Sequence, residues 1–280
     1  MIKLKSKKNY FNIIKHIFLP KDRALLRSKY YFMFLNKKIY FDSEHLANRN
    51  LIQWCLNKNH FHKKSNCTTE IFYEQKEMLI FEKLIVDSNY FIDLGAQTGI
   101  YSLAAYSSKK IKKIICVDII NEYMTAIKKN IKINGFKVNK FQILNLGIGS
   151  NKIFHKEWIA QTETNGCSFE EILNIAGLRL SEHDCVKIDI EGWEFFLAKE
   201  IGKYFKTTKP NLLLSLHKKE IERLSNKNVS ENNIFDFLSL HYQFKYITDD
   251  KTIFKEIKSL KDNNLNNQKN KTIFFSNKKF

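Results

Sequence analysis

Residues 90–106 constrain the fold most. Tyr90-Phe91-Ile92-Asp93-Leu94 reads as a buried strand that closes on a carboxylate. Gly95-Ala96-Gln97-Thr98-Gly99 reads as a tight loop with two glycines four positions apart, and Ile100 to Tyr106 as a helix. Strand, glycine turn and helix in that order open the ligand crevice of an α/β sheet at the carboxyl end of the strand. The loop is D-x-G-x-x-x-G. A dinucleotide fold needs a glycine among Ala96, Gln97 and Thr98, so that the backbone can approach a pyrophosphate. A carboxylate ahead of the turn opposes a diphosphate and suits a ligand with a cationic end.

After this opening, strands and helices alternate. Strands are predicted at Lys113–Asp118, Phe141–Leu146, Cys185–Ile190, Leu212–His217, Phe244–Ile247 and Thr272–Phe275, and helices at Glu122–Ile133, Phe169–Ala176, Trp193–Tyr204 and Asn233–Leu240. Ser168 is a ready N-cap for the second of these helices and Gly177 its stop. Residues 151–166 have no clear period, and Trp158 suggests a hairpin there; residues 256–270 read as a polar loop. The alternation predicts an α/β fold: a seven-stranded, mostly parallel sheet with helices on both faces.

Residues 1–69 read as a basic, largely helical N-terminal extension, and residues 70–280 as the main domain. Tyr10, Phe11, Ile14, Ile17 and Phe18 share one helical face that Pro20 ends. Lys15 and His16 interrupt the apolar stretch and no small-x-small cleavage site follows, so it does not read as a signal peptide. A basic amphipathic helix can lie on an anionic membrane, so peripheral membrane contact is one use for it and packing on its own domain the other. Ala47–Leu56 reads as a helix, Asn57–Thr69 as a loop and Glu70–Ile85 as a further helix. No apolar run approaches the roughly 20 residues that span a bilayer. The five cysteines lack C-x-x-C spacing and read as free thiols of a cytoplasmic protein. Cys55, His60, His62 and Cys67 do not have the spacing of a zinc module. The net charge of +18 could serve an anionic partner. Lysine is spread over nearly every segment, which favours compositional drift over a nucleic-acid footprint.

Three further segments carry chemistry. Asp118 ends the second strand, where a carboxylate can accept hydrogen bonds from ribose hydroxyls or, more plainly, cap the helix that follows. Asn145-Leu146-Gly147-Ile148-Gly149 offers small residues beside the third strand, where an adenine could slide in or the chain could merely turn. Lys187, Asp189 and Glu191 alternate along the fourth strand and share one side of it, an arrangement costly to bury unless paired. A nucleoside with a cationic tail satisfies all of this: S-adenosylmethionine.

With these residues in place the chain resembles the FkbM family of S-adenosylmethionine-dependent methyltransferases. Phe91 to Gly99 carries the D-x-G-A-x-x-G loop shared by many methyltransferases; Lys187-Ile188-Asp189-Ile190-Glu191-Gly192-Trp193-Glu194 matches a run more specific to this family. Phe72-Tyr73-Glu74, Ser168 to Leu173 and Leu214-Ser215-Leu216-His217 are supporting matches. The resemblance covers residues 70–275. It departs at Gln97, where Asn is common, and at Val117 to Ile120, where Asp118 stands for the family's Glu and a proline is lost.

The resemblance implies a Rossmann-like class I methyltransferase fold with its last strand antiparallel. It also implies O-methylation of a sugar, a glycan or a secondary metabolite. The cofactor set is then Asp93, Gly95, Ala96, Gln97, Thr98, Gly99, Asp118, Ile119 and Gly147. Methyl transfer to a hydroxyl needs alignment and a base, and His217, Asp189, Glu191 and Lys187 are the candidates for that end. Asp189 and Glu191 could instead hold a divalent cation. Two rivals are an RNA ribose methyltransferase and a non-catalytic binding protein on the same fold. No [N/D/S]-P-P-[Y/F/W] loop follows the fourth strand, which counts against amine methylation of bases.

Overall fold

The computed structural model of the chain describes residues 29–65, 68–149, 152–156, 161–247, 255–260 and 270–279. The helix expected before Pro20 lies outside them, as do Cys67 and Trp158.

The described residues of 29–71 hold four strands and one helix, where a largely helical extension was expected. β1 (Lys29–Phe34) and β2 (Lys37–Phe41) form an antiparallel hairpin. Its two turn residues, Leu35 and Asn36, have φ of 47° and 59°, the left-handed pair that a two-residue hairpin requires. Tyr30, Phe32 and Phe34 alternate inward with period two, and Phe32 stacks on Phe41 with ring centroids 5.5 Å apart. α1 (Leu46–Asn57) follows, as expected from the sequence. β3 (Phe61–Ser65) and β4 (Thr68–Ile71) then replace the expected loop and complete a four-stranded sheet in the order β2-β1-β4-β3. The expected helix at Glu70–Ile85 is shorter: α2 runs Gln75–Ile85, because β4 holds residues 68–71.

The main sheet begins at β5 (Tyr90–Leu94). It continues through α3 (Ile100–Ala105), β6 (Lys113–Asp118), α4 (Asn121–Ile133) and β7 (Phe141–Asn145). β8 (Gly147–Ile148), β9 (Lys152–Lys156) and β10 (Gln161–Cys167) form a small side sheet, the hairpin anticipated there. α5 (Phe169–Ala176) has the expected Ser168 capping box and a left-handed Gly177 at its end. β11 (Cys185–Ile188), α6 (Glu194–Thr208) and β12 (Asn211–His217) follow. α7 (Lys218–Leu224) was not foreseen; α8 (Glu231–Ser239), β13 (Phe244–Ile247), β14 (Lys255–Glu256) and β15 (Asn270–Ser276) complete the chain.

The sheet order is β14-β13-β15-β12-β11-β5-β6-β7. It has eight strands where seven were expected, because the two-residue β14 adds an edge. β7, β6, β5, β11 and β12 are mutually parallel and β15 runs antiparallel. Period two splits the apolar residues between two cores. Phe91, Ile114 and Cys116 face α2, α3, α4 and the N-terminal strands, whereas Ile92, Leu94, Ile115 and Val117 face α5, α6 and α8. The N-terminal strands therefore share a continuous core with the main sheet.

Amides tie the two parts together. Asn130 of α4 accepts hydrogen bonds at Oδ1 from Asp42 N and from Asn48 Nδ2 of α1, at 3.0 and 2.7 Å. Its Nδ2 donates to Asn48 Oδ1 and to the Thr98 carbonyl at 2.9 and 3.0 Å. Asn134, one turn on, bonds both the N–H and the carbonyl of Tyr40. The glycine loop is thereby fastened to the N-terminal region.

Candidate active site

A cleft of about 440 Å³ opens over the carboxyl ends of β5, β6 and β11, within the range of small-molecule sites, about 300–1,000 Å³. Gly95, Ala96, Gln97 and Thr98 line it from the loop, Asp118 and Ile119 from the end of β6, and Lys187, Asp189, Glu191 and His217 from the other half of the sheet. These expected residues share one site.

Three of the expected cofactor residues do not line it. Asp93 lies beneath, 1% exposed. Strand alternation turns its carboxylate toward α3, where Ser102 Oγ donates to Oδ2 at 2.7 Å and Lys187 Nζ stands 3.5 Å from Oδ1. Burial pushes its pKa up, against the pull of Lys187. Gly99 backs onto Ile127, which a Cβ would meet at 2.8 Å. Gly147 sits in β8 opposite Gly166, and its neighbours Leu146 and Ile148 supply the apolar wall instead. Gly95 does line the cleft, but its lack of a side chain answers to packing: a Cβ would fall 1.7 Å from the Asp189 carbonyl oxygen.

Asp118 spans two roles. Its Oδ2 accepts from Gln97 N at 2.8 Å and its Oδ1 from Ile120 N at 2.9 Å, so the carboxylate shapes both the loop and the entry to α4 while facing the cleft.

The opposite wall is a chain of charges. Lys187, in register with Asp93 across β11 and β5, has its Nζ 3.3 Å from Asp189 Oδ2 and 5.0 Å from the centre of the Tyr101 ring. Asp189 Oδ1 is 3.4 Å from His217 Nε2, and His217 Nδ1 is 2.8 Å from Glu194 Oε1. Burial pulls His217 down, but the bond and charge of Glu194, then Asp189 and Glu191, outweigh it and raise the imidazole to about 9. Burial pushes Asp189 up, and Lys187 and His217 reverse this, holding it below the usual carboxylate range. β11 ends at Ile188, so Glu191 reaches the site by a left-handed turn with φ of 53°, not by strand alternation; its carboxylate is half exposed, 3.9 Å from His217.

Asp189 is thus bracketed by two cations, which does not suit it as a metal ligand. Among the described residues, no group of three or more His, Cys, Asp or Glu is placed to hold a metal ion.

Sequence reasoning missed a third wall. Asn50, Leu51 and Trp54 of α1, with Tyr73 and Glu74, line the cleft from the N-terminal region, and Tyr101, Tyr123 and Trp193 add further rings. The match at Phe72-Tyr73-Glu74 was the available signal. Glu74 is left-handed (φ 42°, ψ 52°) and accepts from the Tyr101 hydroxyl at 2.6 Å. Glu74, Gln97 and Glu191 are all non-glycine residues with positive φ, and all face this cleft; strain of this kind, about 1–3 kcal/mol each, gathers at functional sites.

No family model matches the chain, and no curated protein does. Solved structures similar to it include the methyltransferase FkbM from Methylobacillus flagellatus. That protein is 17% identical over 68% of this chain, with a TM-score of 0.41; the chain spans only 44% of its length. Another is an O-methyltransferase from Bacillus cereus in complex with SAH, 9% identical over 81% of this chain and 90% of that one, with a TM-score of 0.43. A third is a putative tRNA (m1A22) methyltransferase from Streptococcus pneumoniae, 12% identical over 75% of this chain and 73% of that one, with a TM-score of 0.41. The strand order, with its antiparallel β15, is that of the Rossmann-like class I methyltransferase fold.

Proposed function

We propose that the chain is an S-adenosylmethionine-dependent methyltransferase of FkbM type, acting on a hydroxyl of a sugar, glycan or secondary metabolite. One observation carries this reading: a single cleft joins a glycine loop, a strand-end carboxylate with an apolar wall beside it, and a chain of ionised groups that can handle a hydroxyl proton.

The residues fit the cofactor. Asp118 offers a carboxylate to ribose hydroxyls, and Ile119, Leu146 and Ile148 an apolar wall for a base. Thr98 Oγ1 is buried in the cleft wall without a hydrogen-bond partner. When bound, the cofactor supplies a methyl group already activated by a sulfonium. The protein aligns the acceptor, excludes water and removes a proton. Asp189, kept ionised, accepts the hydroxyl's hydrogen bond. His217 takes the proton in its neutral form, so turnover rises with pH toward about 9. Trp54, Tyr73 and Trp193 line the cleft with aromatic side chains on which an acceptor can pack.

Four of the cysteines are free thiols, which fits the cytoplasm. Among the described residues, no helix is long and apolar enough to cross a membrane; the basic N-terminus would provide any peripheral contact.

Titration calorimetry with S-adenosylmethionine tests the donor, and absence of binding at millimolar cofactor sinks the reading. Labelled-methyl transfer into a cell extract, fractionated into glycan, lipid, nucleic acid and protein, tests the acceptor. Label in small molecules or glycan supports the proposal; label confined to RNA replaces it with ribose methylation.

A further inference from the structure

We propose that Glu74, not Asp93, is the carboxylate that pairs with the α-ammonium of the methyl donor. The inference rests on the reading of that donor as S-adenosylmethionine.

A cofactor with an ammonium calls for a carboxylate that faces the cleft and lacks a cation of its own. Asp93 fails on both counts, being beneath the cleft and beside Lys187. Asp189 faces the cleft, but Lys187 and His217 already flank it. Asp118 takes two backbone N–H groups at the ribose end. Glu191 is half exposed and turned toward His217.

Glu74 remains. It lines the cleft, and among the described residues no Lys, Arg or His lies within ion-pair distance of it. It accepts its 2.6 Å hydrogen bond from a neutral group, the Tyr101 hydroxyl on α3, the helix that the glycine loop opens. The carboxylate therefore reaches from the N-terminal connection to the loop's own helix. It does so from a left-handed backbone, a conformation that costs about 1–3 kcal/mol and persists where the surrounding structure demands it.

Its acid–base state agrees. Burial pushes Glu74 up to about 7, and the negative charge of Asp189 adds to this. The facing groups are Tyr73 beside it, Glu77 of α2, Cys55 of α1, Tyr101 of α3, and Lys187 and Asp189 of β11 and its end; only Lys187 is a cation. An ammonium drawn to Glu74 would favour its ionised form and expel its proton.

The test is calorimetry on the full chain with three ligands: S-adenosylmethionine, S-adenosylhomocysteine, and 5′-methylthioadenosine, which lacks the amino-acid end. Glu74→Gln keeps an acceptor for Tyr101 and removes the charge. It should weaken the first two ligands roughly 10- to 100-fold, the range for a lost charge-assisted bond, and leave methylthioadenosine within about twofold. At pH 6.5 the wild type should release roughly three quarters of a proton on binding the first two ligands, and Glu74→Gln none. Tyr101→Phe should weaken the same two ligands by a smaller factor. If Glu74→Gln does not fold, Glu74→Asp replaces it: a folded Asp variant should lose affinity for the two amino-acid-bearing ligands only, with proton release retained. Unchanged S-adenosylmethionine affinity in Glu74→Gln overturns the proposal, as does equal weakening of all three ligands. A wild type that binds none of them overturns the donor reading itself.

Discussion

His217 Nδ1 lies 2.8 Å from Glu194 Oε1, with both side chains buried. Glu194 stands in the first turn of α6, where Oε1 also accepts from Ile190 N at 3.2 Å, so the carboxylate is fixed before it meets the imidazole. The pair sets the protonation state of His217, the one histidine among the described residues that lines the cleft. Histidine proton resonances followed through a pH titration should show His217 with a midpoint near 9. Glu194→Gln should lower that midpoint by roughly one to two units, the equivalent of one charge-assisted hydrogen bond. A wild-type midpoint at the ordinary 6.5 would contradict the arrangement.

The same shift predicts a stability profile. The folded value lies above the ordinary 6.5, so the contribution of His217 is fully present below pH 6.5 and is lost as pH rises toward 9. Urea unfolding of wild type and His217→Gln should show a stability difference that shrinks across this window by on the order of 3 kcal/mol. A difference independent of pH would mean that His217 is not charged in the fold.

The Asn130 side chain makes four hydrogen bonds to three residues: Asp42, Asn48 of α1 and the Thr98 carbonyl of the glycine loop. Asn130→Ala leaves these buried groups unpaired, at about 1–3 kcal/mol for each that finds no water. The expected loss is about 3 kcal/mol, with a melting temperature lower by roughly 6–10 °C. Cofactor affinity should fall as well, because Thr98 loses its tether. A variant that melts lower but binds as tightly would show that the tether serves the fold alone.

The sheet and half the site were legible because their signals are local. Ile92, Leu94, Ile115 and Val117 alternate with Phe91, Asp93, Ile114 and Cys116, and the acidic strand ends mark the crevice edge. What alternation cannot show is which face becomes the cleft, so Asp93 looked like a ligand residue when it is the buried partner of Ser102. β3 was invisible: Phe61 to Ser65 are all exposed, and an edge strand with no buried face has no period. α7 was invisible for a similar reason, since only Ile221 of its residues is buried. Glu74 joins the site through the tertiary contact with Tyr101, 27 positions away, and neither residue advertises it locally.

Lys271 of β15 and Glu231 of α8 form a fully buried ion pair, 2.5 Å between Nζ and Oε1. Lys271→Met leaves a carboxylate buried without its cation and should cost about 3–5 kcal/mol in denaturant unfolding. Lys271→Met with Glu231→Leu should recover most of that loss, because removing both charges removes the desolvation penalty. If the double variant is no better than the single, the lysine contributes through packing and not through charge.

Gly95 is the residue on which both halves of the sheet close. Its φ is +77°, and a Cβ would sit 1.7 Å from the carbonyl oxygen of Asp189. Asp189 N donates to Leu94 O at 2.9 Å, so its backbone cannot retreat without breaking the β5–β11 edge. Gly135 provides the control: φ is +64°, and a Cβ there would meet nothing within 4 Å. Gly135→Ala should therefore cost only the left-handed strain of one residue, about 1–2 kcal/mol. Gly95→Ala carries the same strain plus a backbone collision, and should either fail to fold or displace Asp189. Displacement would separate Asp189 from Lys187 and His217, with loss of turnover and a lowered His217 titration midpoint in a chain that still shows its far-ultraviolet signal. Equal melting temperatures for the two variants would mean that the β11 end yields freely, and that the charge chain does not depend on this contact.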